Sequence, residues 1–198
     1  MSLTKPSSLV GEREIGYFLN ALISPKNQLV IQSIQNRFQE LLGDGIWIAP
    51  AESLHITVGE VLTNTPDIDR VFQDRHSDYD AHLTEVMNDL PVPHIVFDTL
   101  KTGASTLYIT GRDQGTIMSL RDQIEDRVKR MEGTAPPPDV IHTSIARYTK
   151  AIDREQIEKF IATLPVLFEQ TLSDLQLIRQ TVAPLIEYEV LKRYRFGK

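Results

Sequence analysis

Two short segments carry the residue types needed for acid–base chemistry on a phosphate. The first reads Ser53-Leu-His-Ile-Thr-Val-Gly59 and the second Val140-Ile-His-Thr-Ser-Ile-Ala146. Each contains a histidine, any residue, then a hydroxyl residue, pairing His55 with Thr57 and His142 with Ser144. The aliphatic flanks predict strands. Along a strand, residues i and i+2 share a face about 6.6 Å apart. His55 and Thr57 are therefore expected to point together, with Leu54, Ile56 and Val58 opposite. His142, Ser144 and Ala146 are expected on one face of the second strand. Ile141, Thr143 and Ile145 are expected on the other, where Thr143 is out of place. Cleaving a phosphodiester needs a neutral imidazole to take a proton from the attacking water or hydroxyl. It also needs a protonated imidazole to give one to the leaving oxygen. An unperturbed pKa near 6.5 suits histidine to both tasks. The two hydroxyls can donate to the non-bridging oxygens as charge builds. A lone histidine of this kind is more often satisfied by a backbone carbonyl at a sheet edge. It is the second copy that makes the pattern informative.

Elements on either side must bring the two segments together. Residues 14–23 read as a buried strand bounded by turn formers. Ser24-Pro25 supplies a helix cap and a first-turn proline, and Ile31, Ile34, Phe38, Leu41 and Leu42 recur at helical spacing before Gly43. A strand is expected at 53–62, a polar helical stretch at 66–89, and a hairpin of 94–101 with 105–111 around Thr102-Gly103-Ala104. A helix at 113–131 presents Ile117, Leu120, Ile124, Val128 and Met131 on one face and ends before Gly133. Pro136-Pro137-Pro138 is a stiff connector into a strand at 140–148. Asp153 and Gln156 form a capping-box-like start to another helix, and 166–195 reads as one or two long strands. Each half thus runs strand, glycine-ended helix, connector, then a strand with a histidine, a weak internal repeat.

The chain has 198 residues, a net charge of −6, and no cysteine. The length suits one domain, and the 41% hydrophobic content is that of a globular protein. No apolar run approaches a membrane span, and the N-terminus lacks a secretory layout. The absence of cysteine excludes disulfides, a thiol nucleophile and cysteine-ligated zinc, and fits a reducing cytoplasm. The acidic balance argues against gripping long DNA and for a small nucleotide or a single RNA end.

The paired His55-Ile-Thr57 and His142-Thr-Ser144 resemble the signature of the two-histidine (2H) phosphoesterases, which include 2′–5′ RNA ligase-like proteins and cyclic phosphodiesterases. The resemblance covers most of the chain, including the opening strand and the terminal strands. It implies an α+β fold of two interleaved lobes related by a pseudo-two-fold axis, residues 1–198 forming a single domain. In such a fold antiparallel sheets line a central cleft and helices lie outside. It also implies that His55 and His142 are catalytic, that Thr57 and Ser144 bind phosphate, and that neither metal nor cofactor is required. Arg147 stands where ligase-like members often carry an arginine near the phosphate and is the third expected phosphate contact; strict alternation sends it to the face opposite His142, so it reaches the cleft only if the strand bends or ends there.

The expected substrate is a nucleotide or RNA terminus bearing a cyclic or 2′-linked phosphate: a 2′,3′-cyclic nucleotide, a cyclic ADP-ribose phosphate or a 2′,5′-linked oligonucleotide. The reverse reaction would be ligation. The near-symmetry of the pattern leaves open which histidine is acid and which is base. A monomer is expected. The alternative is a non-catalytic module that keeps the cleft and binds a nucleotide or RNA end. Among aromatic residues that could stack a base, Tyr17 and Tyr108 are the expected substrate contacts, while Phe18 and Trp47 are expected in the core. His76, Asp78, Asp80 and His82 are read as a solvated surface rather than a metal site. The basic groups Lys192, Arg193, Arg195 and Lys198, and Arg127, Lys129 and Arg130, are read as solvated faces.

Overall fold

The computed structural model describes residues 2–63, 65–127 and 136–197. In chain order the elements are β1 (Arg13–Leu22), α1 (Pro25–Leu42), β2 (Ile46–Ile48), β3 (His55–Thr63) and α2 (Ile68–Asp89). They continue with β4 (His94–Thr102), β5 (Thr106–Arg112), α3 (Thr116–Arg127), β6 (Ile141–Tyr148) and α4 (Arg154–Ile161). The last are β7 (Phe168–Thr171), β8 (Asp174–Val182) and β9 (Glu187–Arg195). The region after 166 therefore holds three strands, not one or two. Among the described residues, no helix is long and apolar enough to cross a membrane.

Local chemistry explains most of the boundaries. The Ser24 hydroxyl accepts from the Asn27 N–H at the start of α1, Pro25 sits in the first turn, and Gly43 ends the helix with φ 54°. The polar stretch expected at 66–89 is a helix that buries only one stripe, Phe72, Tyr79, Leu83, Val86 and Met87. In α3, Ile117 and Leu120 are fully buried; Val128, Met131 and Gly133 lie outside the described residues. At α4 the Asp153 carboxylate accepts from the N–H of Glu155, so the cap closes on Glu155 rather than on Gln156.

All pairings within the two sheets are antiparallel. One sheet has the order β3-β1-β8-β9 and the other β2-β6-β5-β4-β7. Helices α2 and α3 pack against β3 and each other, with α2 also reaching β9; α1 packs on β2, β6 and β7, and α4 on β4. Each motif strand is thus flanked by a helix from the opposite half of the chain. The halves are interleaved, and one connected apolar core runs through both sheets. Strands β3 and β6 touch across the junction between the sheets.

Candidate active site

The first strand supplies one wall. In β1 the even-numbered side chains Glu14, Phe18 and Asn20 line a cleft between the sheets. The odd-numbered Tyr17, Leu19 and Ala21 are buried on the opposite face. Tyr17 is therefore not brought to the cleft. Its ring stacks on Phe72 at 3.7 Å and its hydroxyl donates to Asp69 at 2.6 Å. That burial raises its pKa to about 12. Asp69 is fixed in turn by Arg179, whose Nε and Nη2 donate at 2.8 and 2.7 Å, and its pKa falls to about 2. Phe18, expected in the core, lines the cleft instead. Its ring folds back over Gly16, where a Cβ would stand 2.6 Å from the ring.

The motif strands supply the chemistry. His55, Thr57, His142, Ser144 and Arg147 all line this one cleft, whose volume is about 310 Å³. The pairing explains how Arg147 arrives there. Between β5 and β6, Leu107 faces Ala146 but Tyr108 faces Ser144, leaving Ile145 as an extra residue. Such a bulge inverts the alternation downstream. The burial pattern follows it: Ile145 and Ala146 are both buried, Arg147 is half-buried and Tyr148 is buried. The first motif strand has the same break, since Leu19 faces Gly59 while Asn20 faces Thr57, leaving Val58 extra. Both bulges fall three residues after the histidine. Both precede a charged residue that lines the cleft, Glu60 in one half and Arg147 in the other.

The two imidazoles are held alike but not equally. The Nδ1–H of His55 donates to the Ser53 carbonyl at 2.7 Å, leaving Nε2 to accept from the Thr57 hydroxyl at 3.1 Å. For His142 the equivalent Nδ1 contact, to the Val140 carbonyl, is 3.4 Å. Burial disfavours the charged form of His55 and lowers its pKa to about 4, with smaller contributions from His142 and Arg147. His142 is also lowered, first by burial and then by the charges of Arg121 and Arg147. Tyr108 meets the His142 ring edge-on at 5.6 Å. Of the other aromatics, Tyr148 is fully buried with its hydroxyl on Thr102 at 2.7 Å, and Trp47 packs against the core.

Three cleft residues escaped the sequence reading. Asn20 is 2% exposed, and its Oδ1 has no hydrogen-bond partner. The Arg147 Nε is likewise buried and unpartnered. Unpaired buried polar atoms cost about 1–3 kcal/mol each, so both atoms are open to a ligand. Glu14 and Glu60 add carboxylates near Arg147; Glu60 accepts from the Thr63 hydroxyl at 3.0 Å. The parity of β1 marks Glu14 and Asn20 once one knows which face is the cleft, and the bulge at Val58 in β3 marks Glu60.

The remaining candidates lie elsewhere. Asp80 is paired with Lys192 and accepts from the Tyr194 hydroxyl at 3.0 Å, and His76 packs against Phe72. Arg193 pairs with Asp174 at 3.4 Å. Among the described residues, no group of three histidine or carboxylate side chains converges as metal ligands would. Lys129, Arg130, Lys198 and the side chain of Arg127 lie outside the described residues.

The chain has the fold of the two-histidine phosphoesterases. TT0787 of Thermus thermophilus matches with a TM-score of 0.65 at 17% identity, covering 92% of this chain and 98% of that one. E. coli LigT complexed with ATP matches with a TM-score of 0.66 at 12% identity, covering 94% of this chain and 100% of LigT. The MHV ns2 PDE domain matches with a TM-score of 0.54 at 16% identity, covering 85% and 99%. No protein-family model and no curated protein matches the sequence.

Proposed function

We propose that this protein is a metal-independent phosphoesterase acting on a nucleotide or RNA terminus that bears a cyclic or 2′-linked phosphate, and that it belongs to the two-histidine superfamily. The observation that carries the reading is the convergence of His55, Thr57, His142, Ser144 and Arg147 on one cleft. The fold of LigT, which has been crystallised with ATP, 3′-AMP and phosphate, supports a nucleotide as occupant.

For a 2′,3′-cyclic phosphate the steps follow from the site. Thr57 and Ser144 donate to the non-bridging oxygens, and Arg147 neutralises their charge. His55, the more strongly neutral imidazole, has Nε2 free to act as base once the Thr57 hydroxyl turns to the phosphate. It takes a proton from water as the water oxygen bonds to phosphorus. The bond from phosphorus to one ribose oxygen breaks, and His142 protonates that oxygen. Burial lowers the pKa of both histidines, and a bound phosphate anion raises each. His142, whose Nδ1 contact to the backbone is the looser one, takes the acid role. Tyr108 borders the leaving group or base. Ligation is the same step with the 5′-hydroxyl of a second RNA end in place of water: the 2′,5′ bond forms as the bond from phosphorus to the 3′-oxygen breaks and that oxygen takes the proton.

The test is hydrolysis in EDTA of 2′,3′-cyclic nucleotides, a cyclic ADP-ribose phosphate and a 2′,5′-linked dinucleotide. Turnover that survives chelation and falls at least about a hundredfold in His55→Ala and in His142→Ala supports the mechanism. Activity untouched by either change refutes it. Tight nucleotide binding by wild type with no turnover anywhere would favour the non-catalytic module.

A further inference from the structure

Two buried polar side chains outside the cleft reach into the motif strands. Arg121 of α3 is 2% exposed. Its Nε donates to the Val58 carbonyl at 3.1 Å and its Nη2 to the Thr57 carbonyl at 2.8 Å. Its Nη1 donates to the carbonyls of Pro138 and Val140 at 2.6 and 3.3 Å. Gln35 of α1 is 3% exposed, and its Nε2 donates to the carbonyls of Ile145 and Ala49 at 2.7 and 2.9 Å. Val58 and Ile145 are the extra residues of the two bulges. A bulge disrupts the ladder locally and leaves backbone groups that need other partners. The Ile145 carbonyl also accepts from the Ala49 N–H at 3.1 Å.

The bracing crosses over. Helix α1 precedes the first motif in sequence, yet Gln35 holds the bulge of the second. Helix α3 precedes the second motif, yet Arg121 holds the bulge of the first. Arg121 also holds Val140, whose carbonyl faces Nδ1 of His142. A buried guanidinium is costly, and the sites that keep one use its fixed fork to hold several acceptors at once.

We infer that Arg121 and Gln35 are paired positioning residues: each fixes the bulge that turns a charged side chain into the cleft, and each does so for the motif of the opposite half. The inference rests on the phosphoesterase reading for its purpose, while its geometry stands apart from it. The pair is also electrically unequal. Gln35 is neutral, whereas the charge of Arg121 disfavours the imidazolium of His142. Of the other titratable groups, Tyr108 of β5 meets the His142 ring, Arg147 of its own strand acts on it, and His55 and Glu60 of β3 and Glu14 of β1 line the same cleft. Asp113 and Asp139 face Arg121 itself.

The experiment follows the ring C–H resonances of His55 and His142 by NMR through a pH titration, in wild type, Arg121→Met, Arg121→Lys and Gln35→Met. Inorganic phosphate binding is measured on the same samples and in an Arg147→Ala background. Arg121→Met is expected to move the His142 titration to higher pH, and Arg121→Lys, which keeps the charge, to leave it in place. Gln35→Met is expected to shift the His142 resonance and spare that of His55. It should also weaken phosphate about tenfold in wild type and hardly at all once Arg147 is gone, since it acts through that residue. An unmoved His142 titration in folded Arg121→Met overturns the role of Arg121; if that variant does not fold, Arg121→Gln carries the same expectation. A Gln35→Met effect centred on His55, or equal in the Arg147→Ala background, overturns the crossing. Failure of wild type to bind phosphate counts against the functional reading, and the resonances still decide the positioning claim.

Discussion

The two motif strands are copies with different contents. Counted from the histidine, position +1 is Ile56 in one and Thr143 in the other; position +2 is Thr57 and Ser144; +3 is the bulge residue Val58 or Ile145; and +5 is Glu60 or Arg147. The carbonyl two residues before each histidine accepts from its Nδ1 in both, at 2.7 Å for His55 and 3.4 Å for His142. The shared frame provides two imidazoles and two hydroxyls. The differences set them apart: a cation on the strand of His142, a carboxylate on the strand of His55, and a tighter backbone contact for His55. The contrast teaches that a cleft near-symmetric in its backbone need not be symmetric in charge, because the +5 positions differ in sign.

The largest expected effect comes from erasing that charge difference. Arg147→Ala should lower phosphate affinity about 10- to 100-fold. Glu60→Gln, at the matching position, should leave it unchanged or raise it roughly two- to threefold. Calorimetry with inorganic phosphate reads both, and equal losses in the two variants would remove the asymmetry.

A smaller effect concerns stability. The pKa of His55 is depressed from 6.5 to about 4, so between these values the unfolded chain binds the proton that the folded one refuses. Stability is therefore complete above about pH 6.5 and falls as pH drops toward 4, by about 1–3 kcal/mol. His142 adds to the loss in the same direction. Denaturant melts of His55→Gln should lose less stability over this window than wild type. An identical pH dependence would contradict the lowering of the His55 pKa by burial.

The smallest effect lies at position +1. Thr143 is fully buried and its hydroxyl has no partner, where Ile56 is fully buried and apolar. Thr143→Val should stabilise the protein by about 1 kcal/mol with turnover unchanged, measurable as a rise in the denaturation midpoint. A destabilised variant would mean that the hydroxyl is satisfied in solution.

Much of this was readable from local signals. The Ser24 cap, the glycine after α1, the hairpin of β4 and β5 and both histidine motifs depend on residues close in sequence, and all fell where periodicity and turn chemistry put them. The misreadings were non-local. Tyr17 and Phe18 are both large aromatics in an apolar run, and nothing in that run says which face meets the cleft. Arg147 was expected in the cleft only if its strand bent or ended; the bulge at Ile145 brings it there, and a bulge depends on the partner strand β5. Asn20 looked like an ordinary strand residue, and the reach of Gln35 and Arg121 across the halves appears only once the helices are seen to cross over.

The bulge in β6 acts as a phase slip in a two-beat wave. Upstream of it, His142 and Ser144 meet the cleft; downstream, Arg147 does. Without the slip Tyr148 would face the cleft and Arg147 would be driven into the apolar layer that Tyr148 now fills. The electrostatics of the cleft thus depend on where the count skips as much as on composition. A one-residue insertion or deletion between Ser144 and Arg147 would recast the cleft while His55, Thr57, His142, Ser144 and Arg147 all stayed in the sequence.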